Sequence, residues 1–231
     1  MGRLGSLAGR LASPAGRLAS LATLAALLSA CGTAQVKKDY GAFNTARPRA
    51  ILVVPVVNKS VEIDAPEYFL STLPVPVAER GYYVFPVNLV KRVLEDDGLA
   101  DASLVHGADP VRLCSLFGAD AVLLASIEKW EAKYMVVTTQ VNVEFEYVLK
   151  DGKTGQTLWT ERRSMSYQPS DSGGGLIGAL VNATVTKASP NYMRLARQAN
   201  AQAFAWPGPG FPAGPYRPEY GQDVQVMAAQ P

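Results

Sequence analysis

The stretch VNVEFEYVL, residues 141–149, decides the fold because its apolar and polar side chains alternate with a period of two. This alternation is typical of a strand with one buried and one wet face. The turn sequence DGKTG follows at 151–155, and a further strand is predicted over 157–167. A core strand, AVLLASI, precedes them at 121–127. Together these segments predict a three-stranded antiparallel meander.

Upstream of the meander, apolar runs alternate with helical patterns. Residues 50–57, AILVVPVV, predict a strand buried on both faces, with an edge or bulge at Pro55. A helix is predicted over 65–80, broken by Pro74 and Pro76.

A second βα unit and a third helix are predicted next. The strand is expected over 82–87, followed by a helix over 89–97 that Asn88 caps. The third helix is expected over 110–117, before Gly118. The order of elements predicts an α+β fold with one mixed sheet, helices on one face, and C-terminal helices over 176–187 and 190–204.

The N-terminal 30 residues have the layout of a secretory signal. They contain no acid, and Arg3, Arg10 and Arg17 precede an apolar run over 18–30. A helix of that length reaches about 20 Å. This is shorter than the hydrocarbon core of a bilayer, about 30 Å. We therefore expect a cleaved leader rather than a retained membrane span.

The run ends in Leu28-Ser29-Ala30-Cys31, which resembles the lipobox of bacterial lipoproteins. The resemblance implies cleavage before Cys31 and lipid attachment to its sulfur, with acyl chains as the membrane anchor. Gly32 follows rather than Asp, which favours the outer membrane over retention in the inner membrane. An ordinary signal peptide with a chance cysteine is the alternative.

Composition and residue counts exclude several function classes. A formal net charge of +2 offers no electrostatic basis for binding nucleic acid. One histidine and two cysteines leave little room for a classical metal site. We predict His106 in a surface loop and Cys114 as a buried, inert thiol. No metal site, cofactor or catalytic residue is predicted.

Other candidate groups have structural explanations. Glu95, Asp96 and Asp97 lie at a predicted helix end, and Glu144 and Glu146 lie along the wet face of a strand. The aromatic residues near strand ends are expected to pack in the core or at its rim rather than to form ligand platforms: Trp130, Tyr134 and Trp159. The glycines at 173–175 are interpreted as a hinge before a docking helix, since no P-loop Lys-Ser/Thr pair follows.

Several stretches in this order resemble the DUF799 family of lipoproteins, which includes a neisserial surface lipoprotein antigen. They are LPVP at 73–76, ERGYYVFPV at 79–87, GADAVL at 118–123, KTGQTLW at 153–159, GGGLIGALV at 173–181 and GPYRPEYG at 214–221. The resemblance implies an outer-membrane lipoprotein with a fold similar to the TolB N-terminal domain and the CsgG periplasmic domain. It transfers no site residue except Cys31. The Glu-rich strand at 138–146 departs from relatives, which tend to have Ser and Thr there.

These observations predict four segments: a lipoprotein signal peptide (1–30), a tether (31–48), an α+β domain (49–205) and a Pro/Gly-rich tail (206–231). The tail has ten Gly or Pro among 26 residues, a composition expected to form no core. The predicted function is a non-enzymatic accessory or assembly component that faces the periplasm. Its expected partner is another envelope lipoprotein or a second copy. A regulator of peptidoglycan synthesis and an envelope hydrolase are the alternatives.

Overall fold

The computed structural model describes residues 38–134, 139–167, 192–205 and 210–223. The leader and the predicted segments at 168–175 and 176–187 lie outside these ranges. Within the described ranges the elements are α1 Gly41–Ala46, β1 Ala50–Val53, β2 Val57–Asn58, α2 Ala65–Thr72, α3 Pro74–Glu79, β3 Tyr83–Val84, α4 Val87–Asp96, α5 Ala102–Gly107, α6 Pro110–Phe117, β4 Ala121–Tyr134, β5 Thr139–Asp151, β6 Thr157–Tyr167 and α7 Tyr192–Phe204.

The strands form one mixed sheet in the order β3-β1-β4-β5-β6. Strands β3, β1 and β4 are parallel, and the short β2 continues beside β4 after β1 ends. Strands β4, β5 and β6 are antiparallel. The predicted α+β class with one mixed sheet and a C-terminal helix is confirmed, and so is the meander.

Helices cover both faces of the parallel half of the sheet. Ile51 and Val53 of β1 belong to the larger core cluster, which α2, α3 and α7 cover. Leu52 of β1 belongs to a second cluster on the other face, beneath α4, α5 and α6. The predicted arrangement of helices on one face therefore holds for the antiparallel half. The apolar run of β1 requires cover on both sides, because each of its faces is hydrophobic.

The burial of side chains along β5 follows the alternation of apolar and polar residues that predicted the strand. The odd-numbered residues from 141 to 149 are buried, and the even-numbered residues between them are half-buried. Strand β6 has the predicted bounds, Thr157–Tyr167, whereas β4 and β5 extend beyond the predicted ones.

Prolines end two elements near the predicted positions. Strand β1 ends at Val53, and Pro55 lies in the gap before β2. The helix predicted over 65–80 is two helices that meet at Leu73, with Pro74 at the first position of α3. A proline is tolerated there because the first N–H of a helix needs no partner within the helix.

Two predictions around α4 are wrong. The strand over 82–87 is limited to Tyr83–Val84, because Pro86 offers no N–H to a strand ladder. Pro86 occupies the N-cap position of α4, so Asn88 lies inside the helix and caps nothing.

Candidate functional site

The lipid-attachment residue Cys31 lies outside the described residues, so its modification stays a prediction. The folded body already includes Lys38, ten residues before the predicted boundary after residue 48. The Lys38 ammonium donates to the Thr160 carbonyl at 2.9 Å, pairs with Glu161, and lies 5.1 Å from the centre of the Trp159 ring. Residues 38–48 therefore belong to the body rather than to a tether.

The residues after Lys38 are anchored in the core. Phe43 of α1 is buried, and the buried Tyr40 donates its hydroxyl to the Gly210 carbonyl at 2.7 Å. Burial, helped by the carboxylates of Glu161 and Asp223, raises the pKa of Tyr40 to about 12. Tyr40 thus stays a neutral hydrogen-bond donor that joins the start of the body to its C-terminal part.

The expectation that residues 206–231 form no core is wrong for residues 210–223, here called the strap. Phe211 is fully buried and packs edge-on against Trp159, with ring centres 4.7 Å apart. The Gly214 amide donates to the Arg80 carbonyl at 2.7 Å, and the Tyr82 hydroxyl donates to the Pro212 carbonyl at 2.9 Å. A Gly/Pro-rich segment needs little apolar surface of its own when the domain supplies the partners.

A buried ion pair closes the strap onto the domain. The Arg80 guanidinium donates to Asp223 Oδ2 at 2.8 Å and to the Phe211 carbonyl at 2.6 Å. Asp223 Oδ2 also accepts the Ala213 amide at 2.6 Å. Because both charges are withdrawn from water, removing one would leave the other uncompensated.

Two glycines permit the close crossing of strap and domain. Gly81 has φ +87°, and a Cβ there would lie 2.4 Å from Cγ of Arg217. A Cβ at Gly214 would lie 2.1 Å from the Gly81 carbonyl oxygen. Neither contact is possible for a larger residue without movement of the backbone.

A cleft of about 580 Å³ lies where the strap meets α3 and the C-terminal end of α7. Its apolar lining includes Pro76, Ala201 and Phe204, and its carboxylates are Glu79, Glu219 and Asp223. Arg80 and Arg217 also line it, and Arg217 Nε pairs with Glu219 at 3.2 Å. Among the residues that the structure describes, its lining contains no Ser, Cys, His or Lys that could act as a nucleophile.

His106 does not lie in a surface loop, as predicted, but in α5, where it is half-buried. Its Nε2 lies 3.0 Å from the Pro55 carbonyl, to which a neutral imidazole donates. Burial lowers the pKa of His106, and the charge of Lys59 lowers it further. The residue that could have predicted this helix is Asp101, whose side chain caps α5 by accepting a hydrogen bond from the Ser103 amide.

Cys114 is a buried free thiol, as predicted. Burial and the carboxylates of Asp151 and Asp120 raise its pKa to about 12, so the reactive thiolate is strongly disfavoured. Trp130 and Trp159 are buried in the core, as expected, whereas the side chain of Tyr134 is not among those described.

The acidic groups lie where they were expected. Glu95, Asp96 and Asp97 lie at the exposed end of α4. Glu144 lies on the outer face of β5 and pairs with Arg162 of β6 at 2.8 Å.

A buried polar network joins the meander to the helices, and nothing in the sequence pattern predicts it. Asn200 of α7 is fully buried and accepts the Tyr147 hydroxyl at 2.8 Å. Its amide donates to Thr72 Oγ1 at 2.7 Å and to the Phe69 carbonyl at 3.3 Å. An asparagine on an amphipathic helix is expected on the wet face, so only the tertiary contacts reveal the role of Asn200.

Across the described residues, no group of three or more His, Cys, Asp and Glu side chains could hold a metal ion. Among the helices of the described ranges, none combines the length and apolarity needed to cross a bilayer.

The domain just described corresponds to a known family. The family model described as "Putative lipoprotein GNA1162-like" matches residues 38–205. The protein named "Putative lipoprotein NMB1124/NMB1162" of Neisseria meningitidis serogroup B is 35% identical over 164 residues, which are 69% of this chain and 75% of that protein.

Two solved structures are similar. The crystal structure of lipoprotein GNA1162 from Neisseria meningitidis has a TM-score of 0.53 and 32% identity, covering 61% of this chain and 97% of that chain. The PelC dodecamer from Paraburkholderia phytofirmans has a TM-score of 0.41 and 15% identity, covering 67% of this chain and 85% of that chain. The similarity to TolB and CsgG, and the DUF799 label, stay predictions. The match over residues 38–205 shows that the chain belongs to the GNA1162-like family of lipoproteins.

Proposed function

We propose that the protein is a non-enzymatic accessory or assembly component of the cell envelope, held at the outer membrane by acyl chains on Cys31 and facing the periplasm. Membership of a lipoprotein family supports the anchor, and so does the Leu28–Cys31 motif. The proposed partner is another envelope lipoprotein or a second copy, in a secretion or transport role of the CsgG type.

The observation on which this proposal rests is that Lys38 already contacts the folded body. At most residues 32–37 separate the proposed anchor from the body. A fully extended chain from residue 31 to residue 38 spans at most about 25 Å. An anchored protein of this design works close to the membrane surface.

The same reach disfavours the second candidate, a regulator of peptidoglycan synthesis that acts across the cell wall. A flexible spacer inserted between residues 37 and 38 separates the two functions. A membrane-proximal partner becomes harder to crosslink to the body with a long spacer, because its effective concentration falls. Stronger crosslinking to a peptidoglycan synthase with the long spacer would favour the regulator.

Metabolic palmitate labelling with membrane fractionation tests the anchor. We expect the wild-type protein to be labelled and recovered in the outer membrane, and Cys31→Ala to lose the label. Gly32→Asp should keep the label and move to the inner membrane, which makes it a matched control for sorting. An unlabelled wild-type protein would overturn the proposed anchor.

Wall-hydrolysis assays address the envelope hydrolase. In the wild type, the Glu144 carboxylate pairs with Arg162 on the sheet surface. We therefore expect the wild type to hydrolyse the wall no faster than the Glu144→Gln variant. Hydrolysis by the wild type that Glu144→Gln abolishes would overturn the non-enzymatic assignment.

A further inference from the structure

We propose that the outer edge of strand β6 is an interaction surface on which a second copy of this chain adds its own β6, antiparallel and centred on Arg162. The inference rests on the proposed function, in which a second copy is one of the partners, and it specifies the surface and the register. The paired strands would continue one sheet across both copies.

The first argument is that β6 is a long edge strand. It has 11 residues, ends the strand order of the sheet, and pairs with β5 on its inner side. The Thr160 carbonyl accepts from Lys38, which lies outside the sheet, so the main-chain groups of Thr160 point away from β5. The direction of these groups alternates along an antiparallel strand, so those of Arg162 and Ser164 also point outward.

These outward groups are available to another strand. Among the residues that the structure describes, none outside the sheet hydrogen-bonds to the main chain of Arg162 or Ser164. Both side chains are exposed as well. A row of such N–H and C=O groups at a sheet edge is a template for pairing with another chain.

The second argument is a charge pattern that is complementary to itself. In an antiparallel pair centred on Arg162, Glu161 of each copy lies directly opposite Arg163 of the other copy, on the same face of the sheet. Opposite charges in these positions stabilise a strand pair. Sliding one strand by two residues places either Glu161 or Arg163 opposite its own counterpart, where like charges repel. The charges therefore select one register.

The remaining charges in this register are compensated within each copy. Arg162 lies opposite its own counterpart, and each of these guanidiniums pairs with Glu144 of β5 at 2.8 Å. Glu161 pairs with Lys38 and, at 2.9 Å, with Arg163 of its own strand. Two copies would join these pairs into one cluster of alternating charge. The side chains of Arg162 and Arg163 are 60% and 32% exposed, so both can reach a second copy.

The third argument is the position of the proposed anchors. The two-fold axis of an antiparallel strand pair is perpendicular to the sheet, so equivalent residues of the two copies lie on the same side of it. Lys38 lies on the side of the Glu161 and Trp159 side chains. At most residues 32–37 separate it from the proposed anchor, so both copies can insert their acyl chains into one membrane.

Disulfide crosslinking of the full-length protein in intact cells tests the register. In the proposed pair the two Arg162 Cα atoms are about 5.5 Å apart, a separation that a disulfide spans. We expect Arg162→Cys to give a disulfide-linked dimer on a non-reducing gel. The wild type, whose Cys114 is buried, supplies the background.

Ser164→Cys is the matched control on the same edge. In this register Ser164 lies opposite Thr160 of the other copy, so two Ser164→Cys chains should give several-fold less dimer than Arg162→Cys. Co-expression of Ser164→Cys with Thr160→Cys should restore the crosslink, because these two positions face each other across the pair. Arg162 and Ser164 are exposed, so their substitution is not expected to unfold the protein.

Charge reversal in the Arg162→Cys background tests the complementarity. Glu161→Lys and Arg163→Glu each leave like charges opposite each other, and each variant alone should give several-fold less dimer. Co-expression of the two variants should restore the dimer, because every opposed pair then carries opposite charges. Such restoration cannot arise from damage to either fold.

Three results would overturn the proposal: no dimer from Arg162→Cys, an equal yield from Ser164→Cys, or no restoration by charge variants that both resist protease. The first would mean that another segment of the chain or a different protein covers the edge. Palmitate labelling of the same cells tests the anchor separately. A labelled outer-membrane protein without a dimer would overturn the paired edge alone, and an unlabelled protein with a dimer would overturn the anchor alone.

Discussion

The meander and the strap are attached to the same core by different means. Strand β5 pairs along almost its whole length with β4 on one side and β6 on the other. The strap contains no strand and is held by separate contacts, among them the side chain of Phe211, the crossing at Gly214 and the ion pair of Asp223.

The two regions differ in how many contacts hold each of them in place. A ladder distributes its free energy over many hydrogen bonds and cross-strand pairs, each worth a fraction of a kcal/mol to about 1 kcal/mol. The strap depends on a few buried contacts between residues far apart in the chain. One substitution should therefore release the strap, whereas one substitution on the outer face of the meander should be tolerated.

The largest expected effect compares one ion pair from each region. Asp223→Ala should lower the free energy of unfolding by about 3–5 kcal/mol, because it leaves Arg80 buried without its counter-charge. Glu144→Ala in the meander should cost about 0–1 kcal/mol, because the Arg162 side chain is 60% exposed. Urea denaturation measures both. Equal losses would contradict the proposed difference between the regions.

The second prediction concerns the polar network that ties the meander to α7. Asn200→Ala should cost about 1–3 kcal/mol, because the buried Tyr147 hydroxyl loses its acceptor. Arg197→Ala, at an exposed position of the same helix, is the control and should change stability little. The double variant Tyr147→Phe/Asn200→Ala should lose less free energy of unfolding than the sum of the two single losses. Full additivity would mean that the hydrogen bond contributes nothing.

The third prediction tests the crossing of strap and domain. Gly214→Ala should cost about 1–3 kcal/mol, because its Cβ would overlap the Gly81 carbonyl oxygen and the backbone would have to shift. Gly107→Ala introduces a Cβ with no atom within 4 Å and should be nearly neutral. Thermal unfolding and proteolysis near residue 214 report the two outcomes. Unchanged protease resistance in Gly214→Ala would show that the strap adapts.

The smallest expected effect is a pH dependence that belongs to neither region. Because the folded-state pKa of His106 lies below 6.5, the unfolded chain binds more protons just below that pH. The stability that neutral His106 contributes should therefore be fully present above pH 6.5. It should decline as the pH falls, by at most about 1.4 kcal/mol per pH unit.

His106→Gln is the control for this slope, because its amide can still donate to the Pro55 carbonyl. We expect it to flatten the decline between pH 5 and 7 in urea titrations. An unchanged slope would assign the decline to other groups.

Local pattern was sufficient for the meander and for several helix boundaries. The alternation over 141–149 specified which side chains are buried, and Pro74 and Gly118 marked real helix boundaries. Prediction failed where an element is short or held from a distance. Strand β3 has two residues and exists because β1 pairs with it, and α5 has six residues with a weak apolar pattern.

The sequence by itself determined the α+β class, the order of the strands in the meander, the inert Cys114 and the lipobox-like motif at Cys31, because each depends on neighbouring residues. Only the tertiary structure decided that the body includes Lys38, that residues 210–223 of the Gly/Pro-rich segment pack as a strap, and that carboxylates converge on one cleft. Composition predicts whether a segment can bury its own apolar surface. It does not report the partners that a folded domain offers, and Arg80 and Asp223 meet only after the chain has closed over 142 intervening residues.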